Sequence, residues 1–120
     1  MPKILIIDDD ADVRAVIQRL LEREGYDVMV AEDGIEGMEI FVNGSPDIVI
    51  TDLYMPRLKG IDAIKRMRDI NADTKIIAIS GGGTHSPKSL LRNARGVGAA
   101  ATLTKPFDPS ALLDAVNRLA

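Results

Sequence analysis

The sequence contains no cysteine, no tryptophan and only one histidine, His85. Without cysteine, the chain has no disulfide framework, no cysteine-ligated zinc site and no thiol nucleophile. The single histidine excludes any site that needs two imidazole groups. Aromatic residues make up only 3% of the chain, which argues against a base-stacking platform for nucleic acid.

An excess of basic charge and a long hydrophobic run are also missing. The 120 residues include 15 Lys and Arg against 18 Asp and Glu, a formal net charge of −3. This argues against direct nucleic-acid binding, because neutralising phosphates needs clustered cations. No apolar run approaches the ~20 residues of a membrane-spanning helix, and from the residues before the first apolar run we expect no signal peptide. We therefore expect residues 1–120 to form one cytoplasmic domain with no membrane contact.

Aspartate is unusually frequent among the acidic residues, at 13 Asp against 5 Glu. Aspartate is a poor helix former that favours helix caps, turns and metal sites. Part of this excess is explained by helix starts, because Asp10, Ser86 and Asp108 are predicted N-caps. Asp33 is interpreted as a solvated acid or one placed favourably near a helix start, and not as a ligand.

Short apolar runs alternate with amphipathic stretches along the chain. The runs predict five strands: Lys3–Ile7, Tyr26–Ala31, Asp47–Thr51, Lys75–Ser80 and Ala100–Thr104. The amphipathic stretches predict five helices: Ala11–Glu24, Gly34–Asn43, Ile61–Ile70, Pro87–Val97 and Asp108–Ala120. In the second helix, Val42 is predicted to face the core, and Gly44 to end the helix. This alternation indicates an α/β fold with a doubly wound parallel sheet covered by helices on both faces.

Polar side chains follow four of the five predicted strands. Asp8 and Asp9 follow the first strand, Asp52 the third, Ser80 the fourth and Lys105 the fifth. We expect them to converge, because ligands of such sheets bind at the carboxyl ends of the strands. Carboxylates about 4 Å apart repel by about 4 kcal/mol per pair at an effective dielectric of roughly 20, so the cluster indicates a bound cation. Oxygen ligands of this kind suit Mg²⁺.

The same set of groups indicates phosphoryl transfer. Carboxylates, a divalent ion, an ammonium group and a hydroxyl are the parts that such a site uses. The sequence has neither a P-loop nor a GxGxxG pattern, so a nucleotide is not the expected donor. An aspartate carboxylate can itself accept the phosphoryl group as an acyl phosphate.

Four motifs in order resemble the receiver domain of bacterial two-component response regulators. They are Ile6-Ile7-Asp8-Asp9, then Asp52-Leu53-Tyr54-Met55-Pro56 with Gly60, then Ser80, then Lys105-Pro106-Phe107. Asp9 and Asp52 are 43 positions apart, and Asp52 and Ser80 are 28 apart. The resemblance covers essentially the whole chain. It implies a flavodoxin-like, CheY-like sheet with strand order 2-1-3-4-5.

The resemblance also implies a role for each site residue. Asp52 corresponds to the phosphoacceptor. Asp9 and Asp52 correspond to direct Mg²⁺ ligands, with Asp8 acting mainly through water and the Tyr54 backbone carbonyl as a third protein ligand. Mn²⁺ is expected to substitute for Mg²⁺.

Two further groups are implied to act on the phosphoryl group. The hydroxyl of Ser80 would bond a phosphoryl oxygen, and Lys105 would pair first with the acceptor and then with the phosphoryl group. The Lys105–Pro106 peptide bond is expected to be cis.

The resemblance implies partners as well as chemistry. A histidine kinase or phosphotransfer protein would donate the phosphoryl group to a stand-alone receiver. A downstream protein would bind at the face formed by the fourth helix, the fifth strand and the fifth helix. The protein would be a signalling domain that promotes its own phosphorylation and dephosphorylation, and not an enzyme with a diffusible product.

Three features depart from the family pattern. Thr102 occupies a position that is often aromatic in the family. The segment from Ser80 to Lys105 is 25 positions long, about three more than the family pattern leads us to expect, with the excess in residues 81–86. Tyr54 is bulky and lies next to the expected path of the attacking water.

Two other functions remain open from the sequence. A phosphohydrolase of the haloacid dehalogenase type also uses Asp-x-Asp after its first strand, and Asp8-Asp9-Asp10 fits that pattern formally. Such an enzyme would be modified on Asp8, whereas a receiver would be modified on Asp52. A phosphorylation-independent interaction module on the same fold is the second alternative.

Overall fold

Five parallel strands form one sheet in the order β2-β1-β3-β4-β5. The computed structural model describes residues 2–54, 57–81 and 88–120, with residues 88–91 described by their backbone alone. The strands are β1 (Lys3–Ile7), β2 (Asp27–Ala31), β3 (Ile48–Asp52), β4 (Lys75–Ser80) and β5 (Ala101–Thr104). The helices are α1 (Ala11–Arg23), α2 (Gly34–Gly44), α3 (Gly60–Ile70), α4 (Lys88–Gly96) and α5 (Pro109–Leu119). The doubly wound α/β fold and its strand order are therefore confirmed.

The predicted element boundaries agree closely with the structure. β1 and β4 have the predicted bounds, and the other elements begin and end within two residues of them. The predicted N-cap at Ser86 lies outside the described residues. None of the described helices is both long enough and apolar enough to cross a membrane.

Side-chain alternation along the strands divides the core into two halves, one on each face of the sheet. On β1, Leu5 and Ile7 face the half covered by α2, α3 and α4. Ile4 and Ile6 face the half covered by α1 and α5. All four side chains are fully buried. Because both faces are covered, the strand is apolar at every one of these positions, as is typical of a parallel sheet.

Aspartate side chains begin three of the helices. The Asp10 carboxylate accepts hydrogen bonds from the backbone N–H groups of Asp12 and Val13 at the start of α1. Asp33 accepts one from Glu36 at the start of α2, and Asp108 accepts one from Ser110 at the start of α5. These bonds satisfy N–H groups that have no partner within the helix. The N-cap predictions for Asp10 and Asp108 are confirmed.

One prediction for α2 is wrong, and another is confirmed. Val42 is 58% exposed, because the side of the helix that faces the sheet carries Phe41 and Val42 lies about 100° further round. Gly44 is the last residue of the helix, as predicted. Ser45 follows with a φ of 46° and takes the left-handed conformation at the helix end.

Candidate functional site

Three aspartates converge at the carboxyl ends of β1 and β3. One carboxylate oxygen from each of Asp8, Asp9 and Asp52 can be chosen so that all three lie within 4.8 Å of one another. The convergence follows from the sheet order, because β1 and β3 are hydrogen-bonded neighbours. Asp8 and Asp52 are buried, whereas Asp9 is exposed. The acidic cluster expected from the sequence is therefore present.

Lys105 reaches this cluster from the end of β5, the strand at one edge of the sheet. It follows β5, and its Nζ lies 2.9 Å from Oδ2 of Asp8 and 3.0 Å from Oδ2 of Asp52. Its peptide bond to Pro106 is cis, as the resemblance implied. One ammonium group thus bridges the two buried carboxylates and offsets part of their mutual repulsion.

Backbone groups hold the other oxygen of each buried carboxylate. The N–H of Asp10 donates to Oδ1 of Asp8, and the N–H of Tyr54 donates to Oδ1 of Asp52, each over 2.9 Å. Arg14 on α1 also donates from its guanidinium to the Asp8 carbonyl over 2.6 Å. Both carboxylates are therefore fixed in orientation by one backbone N–H and one lysine.

The environment moves the pKa values of two site residues. Burial raises the pKa of Asp52, and the nearby charge of Asp8 acts in the same direction; the Tyr54 N–H and Lys105 oppose them without reversing the shift. Burial on its own would lower the pKa of Lys105. Its hydrogen bonds and charge interactions with Asp8 and Asp52 outweigh that effect and raise the pKa. Lys105 therefore stays protonated beside the two acids at neutral pH.

Ser80 ends β4 next to these groups. Its carbonyl accepts a hydrogen bond from the N–H of Lys105 over 2.8 Å, and β4 pairs directly with β3. The side chain is fully buried, and its hydroxyl has no hydrogen-bond partner among the described residues. A buried hydroxyl without a partner is costly, and this one retains its capacity to donate to a further group.

We predict that Ser80→Ala leaves the free energy of unfolding unchanged or raises it by up to about 1 kcal/mol, because the lost hydroxyl has no partner to lose. Thr51→Val is the matched control. Thr51 is equally buried, and its hydroxyl donates to the Asp52 carbonyl over 3.0 Å. Losing that bond should cost about 1 kcal/mol in urea denaturation. Equal losses in both variants would contradict the prediction.

The donor set fits a hard divalent cation. The three converging side chains offer only carboxylate oxygens, which is the chemistry that Mg²⁺ prefers. Tyr54, expected to contribute its carbonyl, follows Asp52 in the same turn and is tied to it through its N–H. The residue as a whole is 55% exposed. The residues present are therefore compatible with a magnesium site at this edge.

Two contacts near the site were not expected from the sequence. Arg14 lies six residues after Asp8, and only the geometry of the β1–α1 turn brings it back to that carbonyl. Arg57 pairs with Asp33 across 24 positions of sequence. Asp33 is buried, so its interpretation as a solvated acid is wrong. Its carboxylate caps α2, so the alternative interpretation, a favourable position near a helix start, is confirmed. No local periodicity connects such residues.

Comparison with known proteins gives consistent matches over the whole domain. A family model of the response regulator receiver domain matches residues 4–117. The chain is 36% identical to the chemotaxis protein CheY of Bacillus subtilis, over 97% of this chain and 95% of that protein. It is 30% identical to the sporulation initiation phosphotransferase F of the same organism, over 97% of this chain and 91% of that protein.

Solved structures of similar proteins have the same fold. A receiver domain protein from Clostridium thermocellum superposes with a TM-score of 0.90 at 34% identity, covering 99% of this chain and 94% of the other. The chemotaxis protein CheY4 of Vibrio cholerae superposes with a TM-score of 0.89 at 31% identity, covering 100% and 99%.

Proposed function

This chain belongs to the response regulator receiver family and functions in phosphorelay signalling, and we propose that Asp52 is its phosphoacceptor. We further propose that residues 1–120 form a single phosphoacceptor domain. The observation that supports Asp52 best is its setting: a buried carboxylate at the end of β3, held by the Tyr54 N–H and by Lys105. Its neighbours fix its orientation, so little reorganisation is needed before reaction.

In the proposed reaction, a carboxylate oxygen of Asp52 attacks the phosphorus of a phosphohistidine. The O–P bond forms as the P–N bond of the donor breaks, and the imidazole leaves with that electron pair. The ammonium group of Lys105 already lies 3.0 Å from Oδ2 of Asp52. After transfer it would donate a hydrogen bond to the negatively charged phosphoryl oxygens. The unpartnered hydroxyl of Ser80 would donate to one of those oxygens. Hydrolysis of the acyl phosphate would use the same groups, with water as the nucleophile.

Receiver domains bind Mg²⁺ at an acidic pocket. In this chain we propose that Asp9, Asp52 and the Tyr54 carbonyl hold the ion directly and that Asp8 acts mainly through water, with Mn²⁺ as a substitute. When bound, the ion would neutralise charge on the transferring phosphoryl oxygens. Asp9 contributes the exposed carboxylate of the three.

Mapping of a covalent label tests the acceptor. Incubation with phosphoramidate and Mg²⁺ should add roughly 80 Da, one phosphoryl group on a carboxylate, to Asp52 alone. Asp52→Asn should abolish the label, while Asp10→Asn, which changes the charge equally near the site, should retain it. A label on Asp8 would favour the hydrolase alternative. Complete absence of label in the folded wild-type protein would favour the phosphorylation-independent module.

A second prediction separates the roles of adjacent acids. Asp9→Ala should weaken Mg²⁺ binding by about 100-fold, because a direct carboxylate ligand is lost, and leave the metal-free stability nearly unchanged. Asp10→Ala should do the opposite. It removes the cap of α1, which costs about 1 kcal/mol of stability, and leaves Mg²⁺ affinity within about threefold of wild type. Calorimetric titration and urea denaturation measure the two effects, and equal losses of metal affinity would contradict the assignment.

Receiver domains interact with histidine kinases, phosphotransfer proteins and downstream effectors. We propose that a phosphohistidine protein supplies the phosphoryl group here and that a downstream protein binds the face formed by α4, β5 and α5. On that face Arg95 of α4 lies 3.4 Å from the hydroxyl of Thr102 on β5. Thr102 stands where the family often has an aromatic residue. We therefore propose that its contact with Arg95 is what changes at this position when Asp52 is phosphorylated. The predicted long loop at residues 81–86 lies outside the described residues except for Gly81.

A further inference from the structure

Arg14 on α1 reaches back to the turn that carries two acids of the acidic cluster. Its guanidinium donates to the Asp8 carbonyl oxygen over 2.6 Å, and its backbone N–H donates to the Asp10 carbonyl oxygen over 3.0 Å. The first of these bonds has a charged donor, and such hydrogen bonds are shorter and stronger than those between neutral groups. Arg14 therefore closes the turn between β1 and α1 on both sides of Asp9.

Asp9 differs from the other two acids of the cluster in what holds its side chain. The carboxylates of Asp8 and Asp52 each accept a hydrogen bond from Lys105 and another from a backbone N–H. Asp9 is exposed, and its carboxylate makes no hydrogen bond or ion pair within the part of the chain that the structure describes. The position of the Asp9 carboxylate therefore depends on the backbone that carries it.

Two peptide groups, one on each side of the Asp9 α-carbon, set the direction of its side chain. The peptide group between Asp8 and Asp9 contains the carbonyl that Arg14 binds. The peptide group between Asp9 and Asp10 contains the N–H that donates to Oδ1 of Asp8 over 2.9 Å. Because each peptide group is planar, holding both leaves little freedom in the φ and ψ angles of Asp9. The guanidinium of Arg14 thus holds one of the two planes that direct this carboxylate.

We propose that Arg14 is a positioning residue: by holding the Asp8–Asp9 peptide group, it keeps the exposed Asp9 carboxylate directed at the divalent cation. This inference rests on the proposed function, in which Asp9 is a direct ligand of the ion. Arg14 binds a backbone carbonyl and makes no ion pair with any carboxylate of the described residues, so its effect passes through the backbone. A ligand held in place before the ion arrives loses less conformational entropy when the ion binds.

Positioning and simple electrostatics change the Mg²⁺ affinity in opposite directions. Removing the positive charge of Arg14 should by itself strengthen Mg²⁺ binding, because a repulsion between two cations is lost. Losing the hydrogen bond to the Asp8 carbonyl should weaken Mg²⁺ binding. Arg19 is the matched control, because it is an exposed arginine of the same helix whose guanidinium makes no hydrogen bond or ion pair among residues 2–54, 57–81 and 88–120.

The test is calorimetric titration of the full chain and its variants with MgCl₂. Arg14→Met keeps most of the apolar stem but no donor, and we expect it to bind Mg²⁺ about five- to tenfold more weakly than wild type. Arg14→Lys keeps a charged donor and should restore the affinity to within about twofold. Arg19→Met should bind Mg²⁺ as tightly as wild type or slightly more tightly. Adding Arg14→Met to Asp9→Ala should weaken binding no further, because Arg14 acts through Asp9.

A second readout reports the positioning in the metal-free protein. The Asp9 N–H shares its peptide group with the Asp8 carbonyl, so its amide nitrogen resonance should respond to loss of the Arg14 bond. We expect this resonance to shift in Arg14→Met, to return toward the wild-type value in Arg14→Lys and to stay unchanged in Arg19→Met.

Three results would overturn the inference. They are Mg²⁺ binding in Arg14→Met that is as tight as in wild type, a further loss of affinity when Arg14→Met is added to Asp9→Ala, and an Asp9 resonance that does not move in Arg14→Met. Each would leave the proposed function intact, because labelling of Asp52 in the wild-type protein is measured separately. Failure of that labelling would reject the phosphoacceptor and not the positioning role, which the titrations and the metal-free resonance measure.

Discussion

Lys105→Met should destabilise the metal-free protein by about 2–3 kcal/mol and strengthen its binding of Mg²⁺ about tenfold. The ammonium of Lys105 lies within 3.0 Å of two carboxylates whose side chains are 2% and 6% exposed. Removing one partner of a buried ion pair leaves the other charge without compensation. We expect a loss toward the lower end of such cases, because the lysine side chain is 22% exposed. Methionine keeps most of the apolar stem, so the lost charge dominates the effect.

The gain in metal affinity has the same origin. A divalent cation and the Lys105 ammonium compete for the carboxylates of Asp8 and Asp52, so removing the ammonium removes the competitor. Saturating Mg²⁺ should therefore restore much of the lost stability, as a ligand that binds only the folded state does. Phosphorylation of Asp52 should nevertheless become slower, because no ammonium then accompanies the transferred charge.

The pH dependence of this effect follows from the raised pKa of Lys105. A base whose pKa is higher in the folded state contributes stability that is fully present below its unfolded value, about 10.4. That contribution is lost as the pH rises through the folded-state pKa. The difference between wild type and Lys105→Met should accordingly persist at neutral pH and shrink above about pH 10.

Urea denaturation in EDTA and in excess Mg²⁺ measures the stabilities, and calorimetry measures the affinity. Lys65→Met is the control, since Lys65 is an exposed lysine of α3 that makes no ion pair within the described part of the chain. Lys65→Met should change neither the free energy of unfolding nor the free energy of Mg²⁺ binding by more than about 0.5 kcal/mol. Weaker Mg²⁺ binding in Lys105→Met would contradict the competition between the ammonium group and the cation. Equal destabilisation in both variants would show that the Lys105 charge contributes no more stability than that of an exposed lysine.

The fold was predictable because its strands are buried on both faces. Runs such as Ile4–Ile7 are apolar at every position, so they cannot be mistaken for an amphipathic surface helix. Their alternation with amphipathic stretches is compatible with only a few sheet topologies. Val42 shows the limit of that reasoning. Val42 is apolar and directly follows the buried Phe41, so the sequence places it on the buried side of α2. In the structure it lies on the neighbouring, solvent-exposed side of the helix.

The acidic cluster was predictable for a related reason. Asp8, Asp9 and Asp52 end strands that the topology makes neighbours, so sequence position alone predicts their convergence. The ion pair of Arg57 and Asp33 could not be inferred in this way. It depends on the left-handed conformation of Arg57 and on the close approach of Gly34, at the start of α2, to Leu58. Neither feature leaves a periodic pattern in the sequence.

Gly60→Ala should destabilise the protein by about 2–3 kcal/mol, although alanine is the better helix former by about 1 kcal/mol. Gly60 is buried at the first position of α3. A β-carbon there would lie 2.5 Å from the Asp52 carbonyl oxygen and 2.6 Å from the Leu53 α-carbon. Both are backbone atoms, so a rotamer change cannot relieve the clash, and either α3 or the end of β3 must move.

The displaced backbone belongs to the proposed phosphoacceptor itself, so the same substitution should slow phosphoramidate labelling of Asp52 by about tenfold or more. Gly96→Ala is the matched control. Gly96 ends α4, and a β-carbon there would meet nothing within 4 Å. That variant should be as stable as wild type or up to about 1 kcal/mol more stable, with unchanged labelling. Urea denaturation measures the stability of the two variants, and time courses of phosphoramidate labelling measure how fast Asp52 is phosphorylated. If Gly60→Ala behaves like Gly96→Ala, the start of α3 yields without moving Asp52, and the close contact at Gly60 does not fix the geometry of the site.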